Sequence, residues 1–278
     1  MGLCDCCTNL RENIRESPPA QLALSFAGGI ILMTLLLAIS GTLNLHNGCP
    51  ACAASTYLSF ALNSQQAVCK LAIESSTKTK VCSEHLLKNL TIHGLWPTLS
   101  KWRPRAGLSD CTDKLEPFSL AVLTDDDRKR MASRWSSVFK ASGNQPVNDT
   151  TFWRHEWDRH GSCSQYTVKE YFEATLALDE RYPVNRWLAE AAITPNNSRA
   201  YSLGEMTTAL ERHLPKASFY LQCVRLKNAR KRIEQLWLYQ VVLCVAWADG
   251  RSLIQCPQRP PAESCSEPFY FVEDYMKL

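Results

Sequence analysis

From Leu22 to Leu43 the chain carries no charged side chain and is mostly Leu, Ile and Ala, and this run divides a short amino-terminal piece from the long remainder. As a helix, its 22 residues reach about 33 Å at roughly 1.5 Å each, enough to cross the hydrocarbon core of a bilayer. The apolar stretch of a secretory signal is shorter, about 7–15 residues. Arg11 and Arg15 precede the run, and no Lys or Arg comes after it until Lys70. The positive-inside bias therefore places the amino terminus in the cytosol and the bulk of the chain across the membrane. The expected organisation is a cytosolic segment over 1–21, a transmembrane signal anchor over 22–45, a stalk over 46–56 and one domain over 57–278. A cleaved signal peptide, with Ala51-Cys52-Ala53 as the small-residue site, is the alternative and would leave the domain secreted.

Cysteine usage agrees with export. Of 13 cysteines, Cys4, Cys6 and Cys7 precede the run and ten lie beyond it. An even number on the far side suits a disulfide framework in an oxidising compartment, although a count alone reveals no pairing. The three leading cysteines are candidates for palmitoylation or simple reduced thiols, and Cys49-Pro50-Ala51-Cys52 for a local or intermolecular disulfide in the stalk. Three acceptor sequons, at Asn89, Asn148 and Asn196, lie on the translocated side as candidate glycan sites. Asn148 and Asn196 fall in polar loops, whereas Asn89 touches an expected buried strand. The net charge of +4 permits a polyanionic partner without demanding one.

Beyond residue 54 the patterning alternates strands and helices without βα repetition, which indicates an α+β domain. Strands are expected at Tyr57–Leu62, Asn89–Ile92, Phe219–Arg225, Leu236–Ala246 and Ser252–Gln255, with Ala248-Asp249-Gly250 turning between the last two. Helices are expected at Thr124–Val138, opened by a capping box of Thr124 and Asp127, and at Thr167–Leu178, Leu203–Leu214 and Trp153–His160.

Two segments concentrate the chemistry: TIHGLWP from Thr91 to Pro97, and FWRHEWDRHGSC from Phe152 to Cys163. They hold three of the chain's six histidines, His93, His155 and His160, together with Glu156. On a helix Glu156 and His160 share a face with His155 beside them, while Trp153 and Trp157 form an anchoring stripe. The order H-E-x-x-x-H puts Arg159 where a zinc motif needs its second histidine, so no metal and no cofactor are expected. Histidines from separate segments suit phosphodiester cleavage in RNA: a neutral imidazole takes the 2′-OH proton, an imidazolium protonates the departing 5′ oxygen, and further cations balance the phosphoryl oxygens. Trp96 offers a surface for a base, and Lys101, Arg103 and Arg105 lie just beyond it as phosphate contacts. His85 and His213 read as structural or surface residues, and the basic run Arg225–Arg232 as a solvated turn.

Both segments resemble the active-site motifs of the ribonuclease T2 family, in the family's order and about 60 residues apart. Weaker likeness runs from about residue 57 to the end, including Leu243-Cys244-Val245 and Ile254-Gln255-Cys256-Pro257. The resemblance implies an α+β fold with an antiparallel sheet flanked by helices. It also implies a secreted-type endoribonuclease acting on single-stranded RNA through a 2′,3′-cyclic phosphate to 3′-phosphate ends. In that likeness His160 is the general base and His93 the general acid. His155, Glu156 and Arg159 stabilise the transition state, and Trp96 lines a base pocket. The implied disulfides are Cys69–Cys82, Cys111–Cys163, Cys223–Cys265 and Cys244–Cys256, leaving Cys49 and Cys52 over.

The chain departs from the family's pattern in places. Arg159 stands where the family usually has lysine, keeping charge but changing donor geometry. Asn63-Ser64-Gln65-Gln66 replaces a Trp-Pro before the first luminal cysteine, and Thr98 occupies a position where relatives often touch the base. A retained anchor would make this a type II membrane protein with its domain in the secretory pathway, an endosome, lysosome or vacuole, or at the cell surface. The expected partners are RNA and, through the amino-terminal helix, the membrane, with no obligatory protein partner. The competing reading is a non-catalytic, disulfide-rich protein that binds RNA or another ligand at a surface.

Overall fold

Strand β1 (Thr56–Asn63) is buried almost throughout, because it pairs on both edges and is covered on both faces. The computed structural model describes residues 56–75, 81–100, 116–140, 148–228, 233–257, 265–266 and 268–278. The expected cytosolic segment, membrane anchor and most of the stalk, together with Lys101, Arg103, Arg105 and Cys111, lie outside the described residues. Among the described residues no helix is long and apolar enough to cross a membrane.

Antiparallel to β1 run β2 (Thr91–Leu99) and the long β5 (Ile233–Ala246), and β5 pairs antiparallel with β4 (Phe219–Asn228). Two short strands, β3 (Ala200–Tyr201) and β6 (Phe269–Tyr270), complete a six-stranded sheet. The sheet is not wholly antiparallel as expected, since β6 joins β5 in parallel through Trp237 and Tyr270.

One face of the sheet meets the main core. Leu58, Phe60 and Leu62 of β1 and Val241, Leu243 and Val245 of β5 pack there against the helices. These are α2 (Asp125–Arg134), α3 (Asp149–Arg159), α4 (Val168–Arg181), α5 (Val184–Glu190) and α6 (Leu203–Glu211). The opposite face of β4 and β5 is covered by α1 (Gln65–Ser75), whose Ala67 and Leu71 meet Leu226 and Trp237. Four helices open on complete capping boxes: Thr124 with Asp127, Asn148 with Thr151, Thr167 with Glu170 and Ser202 with Glu205. Each pairs a side-chain oxygen with an otherwise orphaned N–H at the helix start.

Three buried tryptophans set the spacing between β2 and the helices. Trp153 donates its indole N–H to the Trp135 carbonyl at 2.7 Å, and Trp135 donates its own to the His93 carbonyl at 2.8 Å. Trp157 donates to the Glu116 carbonyl at 3.1 Å. A buried indole N–H needs such an acceptor, so packing and polar satisfaction fix the same geometry. Disulfides join Cys69 to Cys82, Cys223 to Cys265 and Cys244 to Cys256, and Cys163 is also disulfide-bonded.

Several local expectations need correction. The helix expected to reach Val138 ends at Arg134, because Trp135 leaves helical geometry at φ −136° to turn its ring into the core. Ser252–Gln255 forms no strand: Leu253 bridges Val245 alone, and the Cys256 N–H then turns to the Ala217 carbonyl. Arg225 and Lys227 belong to β4, not to a turn. Asn89 precedes β2 and is exposed, outside any strand. Helices α1 and α5 were not expected. His85 is exposed, and His213 stacks on Trp187 at 4.8 Å.

Candidate active site

His93 sits at a break in the sheet. Ala61 pairs with Gly94 and Leu62 with Ile92, so His93 is an extra residue in β2, a β-bulge. The bulge lets Ile92 and Leu95, three residues apart, both enter the main core. Strict alternation would send them to opposite faces. His93 and Trp96 are then left half-buried at the edge of that core, 4.8 Å apart between ring centroids and nearly perpendicular at 80°.

Helix α3 brings the second set. Trp153 and Trp157 are buried and hold it to the core, which turns Glu156 inward and leaves His155 and Arg159 exposed. His160 caps the helix in a non-helical conformation, φ −128° and ψ −53°, with its N–H on the Glu156 carbonyl at 3.0 Å. Its ring lies 5.4 Å from Trp96, so the Trp96 indole touches a histidine from β2 and one from the end of α3. The Trp96 N–H donates to Glu156 Oε2 at 2.9 Å. A Cβ on Gly94 would lie 2.3 Å from that carboxyl oxygen and 2.4 Å from the indole nitrogen, so only glycine admits the pair. Gly161 has the same office beneath the His160 turn, where a Cβ would come within 2.5 Å of the Trp157 ring.

The electrostatics arise from this crowding. Burial, then repulsion from His160 and His155, pushes His93 down to about 3. Burial pushes Glu156 up to about 8, against the opposing hydrogen bond from Trp96. Near neutral pH the unliganded site therefore holds a neutral imidazole and a protonated carboxyl side by side. The Tyr171 hydroxyl, also buried, receives the Leu95 N–H at 3.4 Å below Glu156.

Beside His93 a cavity of about 300 Å³ opens, lined by Asn63, Val68, Ser137, Phe139, Phe152 and His155 among others. A larger one of about 530 Å³, near Tyr166 and Asp249, holds no histidine. Among the described residues no cluster of three or more His, Cys, Asp or Glu is placed to bind a metal ion. Of the residues proposed from sequence, His93, Trp96, His155, Glu156 and His160 come together, with Arg159 on the same helix end. Thr98 is spent inside the sheet on Ser59 Oγ at 2.9 Å. Sequence reasoning missed Gln240, whose amide reaches His93; its only signal was a polar residue within an apolar strand.

The sequence pattern of the Ribonuclease T2 family matches residues 55–256. Ribonuclease 1 of Arabidopsis thaliana is 30% identical over 178 residues, covering 63% of this chain and 70% of its own. Ribonuclease MC of Momordica charantia is 29% identical over 204 residues, covering 72% of this chain and 94% of its own. Among solved structures, ribonuclease MC1 from the seeds of bitter gourd superposes with a TM-score of 0.57 at 25% identity, over 77% of this chain and 99% of that one. RNase NT in complex with 5′-AMP shares the fold with a TM-score of 0.63 at 24% identity, over 78% of this chain and 98% of that one. The chain belongs to the ribonuclease T2 family, and it is an endoribonuclease of that type.

Proposed function

We propose that this protein cleaves single-stranded RNA by transphosphorylation, with His160 and His93 exchanging roles as base and acid. His160 takes the 2′-OH proton, the 2′ oxygen bonds to phosphorus, and the P–O5′ bond breaks as His93 protonates the leaving oxygen. The products are a 2′,3′-cyclic phosphate and a 5′-hydroxyl. Water then opens the cycle to a 3′-phosphate with the two imidazoles reversed. His155, Arg159 and the protonated Glu156 donate to the non-bridging oxygens as charge develops there. Trp96 packs against both imidazoles and lends a surface to the adjoining base; Lys101 and Arg103 extend the phosphate contacts. The observation that carries this reading is the meeting of His93 and His160 at the Trp96 indole, which is itself hydrogen-bonded to the buried Glu156 carboxyl.

A general acid must carry its proton when it acts, and His93 in the empty site is neutral above about pH 3. An arriving phosphodiester brings negative charge among three imidazoles; its attraction opposes both the burial and the repulsion that lower His93, so substrate loads its own acid. The chain is further read as a type II membrane protein, anchored by residues 22–45, with the domain luminal or extracellular. The uncharged run and the charge asymmetry around it support that topology.

Purified full-length protein is expected to cleave homopolymeric single-stranded RNA in EDTA at weakly acidic pH, leaving cyclic-phosphate ends. Intact RNA across pH 4–8 would defeat the proposal. Protease protection of sealed microsomes tests the topology: the domain should survive, and only the first residues should be clipped.

A further inference from the structure

One buried polar group outside the residues assigned to the reaction touches His93. Gln240 lies in β5 within Leu236–Val245, where every other residue is aliphatic, aromatic or cysteine, and it is only 2% exposed. Its amide Nε2 meets His93 Nδ1. An amide NH₂ only donates, and with it facing the ring Nδ1 serves as acceptor in the tautomer that keeps the ring proton on Nε2.

The sheet is built irregularly to make this contact. Besides the bulge at His93, β5 has its own at Tyr239, since Gln222 pairs with Gln240 and Cys223 with Leu238. Gln240 stands across from Asn63, and Asn63 from Thr91, whose hydroxyl donates to Asn63 Oδ1 at 2.8 Å. Polar side chains from β4, β5, β1 and β2 thus stand in one row across the sheet, next to the bulge at His93. Burying an amide in such a strand is unfavourable unless it is hydrogen-bonded, and here a bond goes to the acting imidazole.

We propose that Gln240 is a positioning residue for His93, fixing its ring orientation and tautomer so that Nε2 holds the transferable proton. The inference deepens the function proposed above and rests on His93 being the proton donor. When substrate loads the second proton on Nδ1, a half-turn of the amide brings Oε1 round to accept it, so one side chain serves both protonation states. The titratable groups facing His93 are His155 and Glu156 on α3 and His160 at its end; β1, β2 and β5 contribute Asn63, Trp96 and Gln240, none of which titrates.

The test uses full-length protein labelled with ¹⁵N-histidine, together with Gln240→Leu and Gln240→Glu. Wild-type His93 should show the Nε2–H tautomer at neutral pH. Gln240→Leu should mix the tautomers and lower kcat on single-stranded RNA about tenfold with KM within about twofold. Gln240→Glu places an anionic acceptor on Nδ1, stabilises the imidazolium and should move the alkaline limb of the kcat–pH profile up by about one unit. A residue serving only the strand would leave tautomer and pH profile unmoved. An Nδ1–H tautomer in the wild type, or a Gln240→Leu variant with native kcat and tautomer, overturns the proposal. Should Gln240→Leu not fold, the wild-type spectrum and the Glu variant still decide it. If no RNA is cleaved, the functional proposal fails while the ¹⁵N spectra still judge Gln240.

Discussion

His93 leaves the middle of a paired strand, whereas His155 and His160 stand on the last turn of α3 and its cap. The strand histidine is held by a bulge, by the Trp135 indole on its carbonyl and by Gln240 on its ring. The helix histidines are held by tryptophans one turn away, with His155 exposed to solvent. On the helix side His155 stays open to solvent; His160 and His93 are both half-buried, and His93 alone has a polar side chain from another strand on its ring. The same side chain is thereby given two characters. Burial and the neighbouring imidazoles hold His93 far below its ordinary proton affinity, and an imidazole so placed gives its proton away readily once loaded.

Removing either character is the most severe way to break this comparison. His93→Ala and His160→Ala should each lower kcat by about 10²–10⁴-fold with the fold intact by circular dichroism. A variant keeping more than a tenth of wild-type activity would dissolve the division of roles. Gly94→Ala comes next: its methyl meets the Glu156 carboxyl and the Trp96 indole, and it should cost about 1–3 kcal/mol of stability along with most of the activity. Urea unfolding measures the first and single-turnover cleavage the second.

The paired shifts of His93 and Glu156 sharpen the comparison through pH. His93 is lowered from 6.5 to about 3, so between those values the unfolded chain binds the extra proton and stability falls as pH falls. Glu156 is raised from 4.5 to about 8, so between those values the folded chain binds the extra proton and stability falls as pH rises. The two slopes cancel between pH 4.5 and 6.5, which should appear as a plateau of maximal stability for this pair. Glu156→Gln should abolish the decline from pH 6.5 to 8, a difference on the order of 1–2 kcal/mol. Urea midpoints across pH check it, and an unchanged alkaline decline would show that Glu156 is not the protonated group. The smallest effect belongs to the exposed helix end: Arg159→Lys keeps the charge and should alter kcat/KM by less than about fivefold.

Much of this was legible in one dimension. The Thr124 and Asp127 capping box, the tryptophan stripe of α3 and the core strand β1 come from local pattern, because capping and periodicity act over a few residues. The family likeness carried the motif residues and named three of the disulfides, Cys69–Cys82, Cys223–Cys265 and Cys244–Cys256. The bulge at His93, the parallel pair of β5 with β6, and Gln240 were not legible, since each depends on strands far apart in the chain. Nor was the protonated state of Glu156, which arises from the groups packed around it.

The sequence by itself determined the chemistry available: three histidines and a carboxyl in two short motifs, behind an uncharged run and among cysteines suited to export. Only the tertiary structure decided which histidine loses proton affinity, which carboxyl keeps its proton and which amide touches the ring. Proton affinity responds to neighbours and to exclusion of water, and both are set when β1, β2, β5 and α3 close on one another.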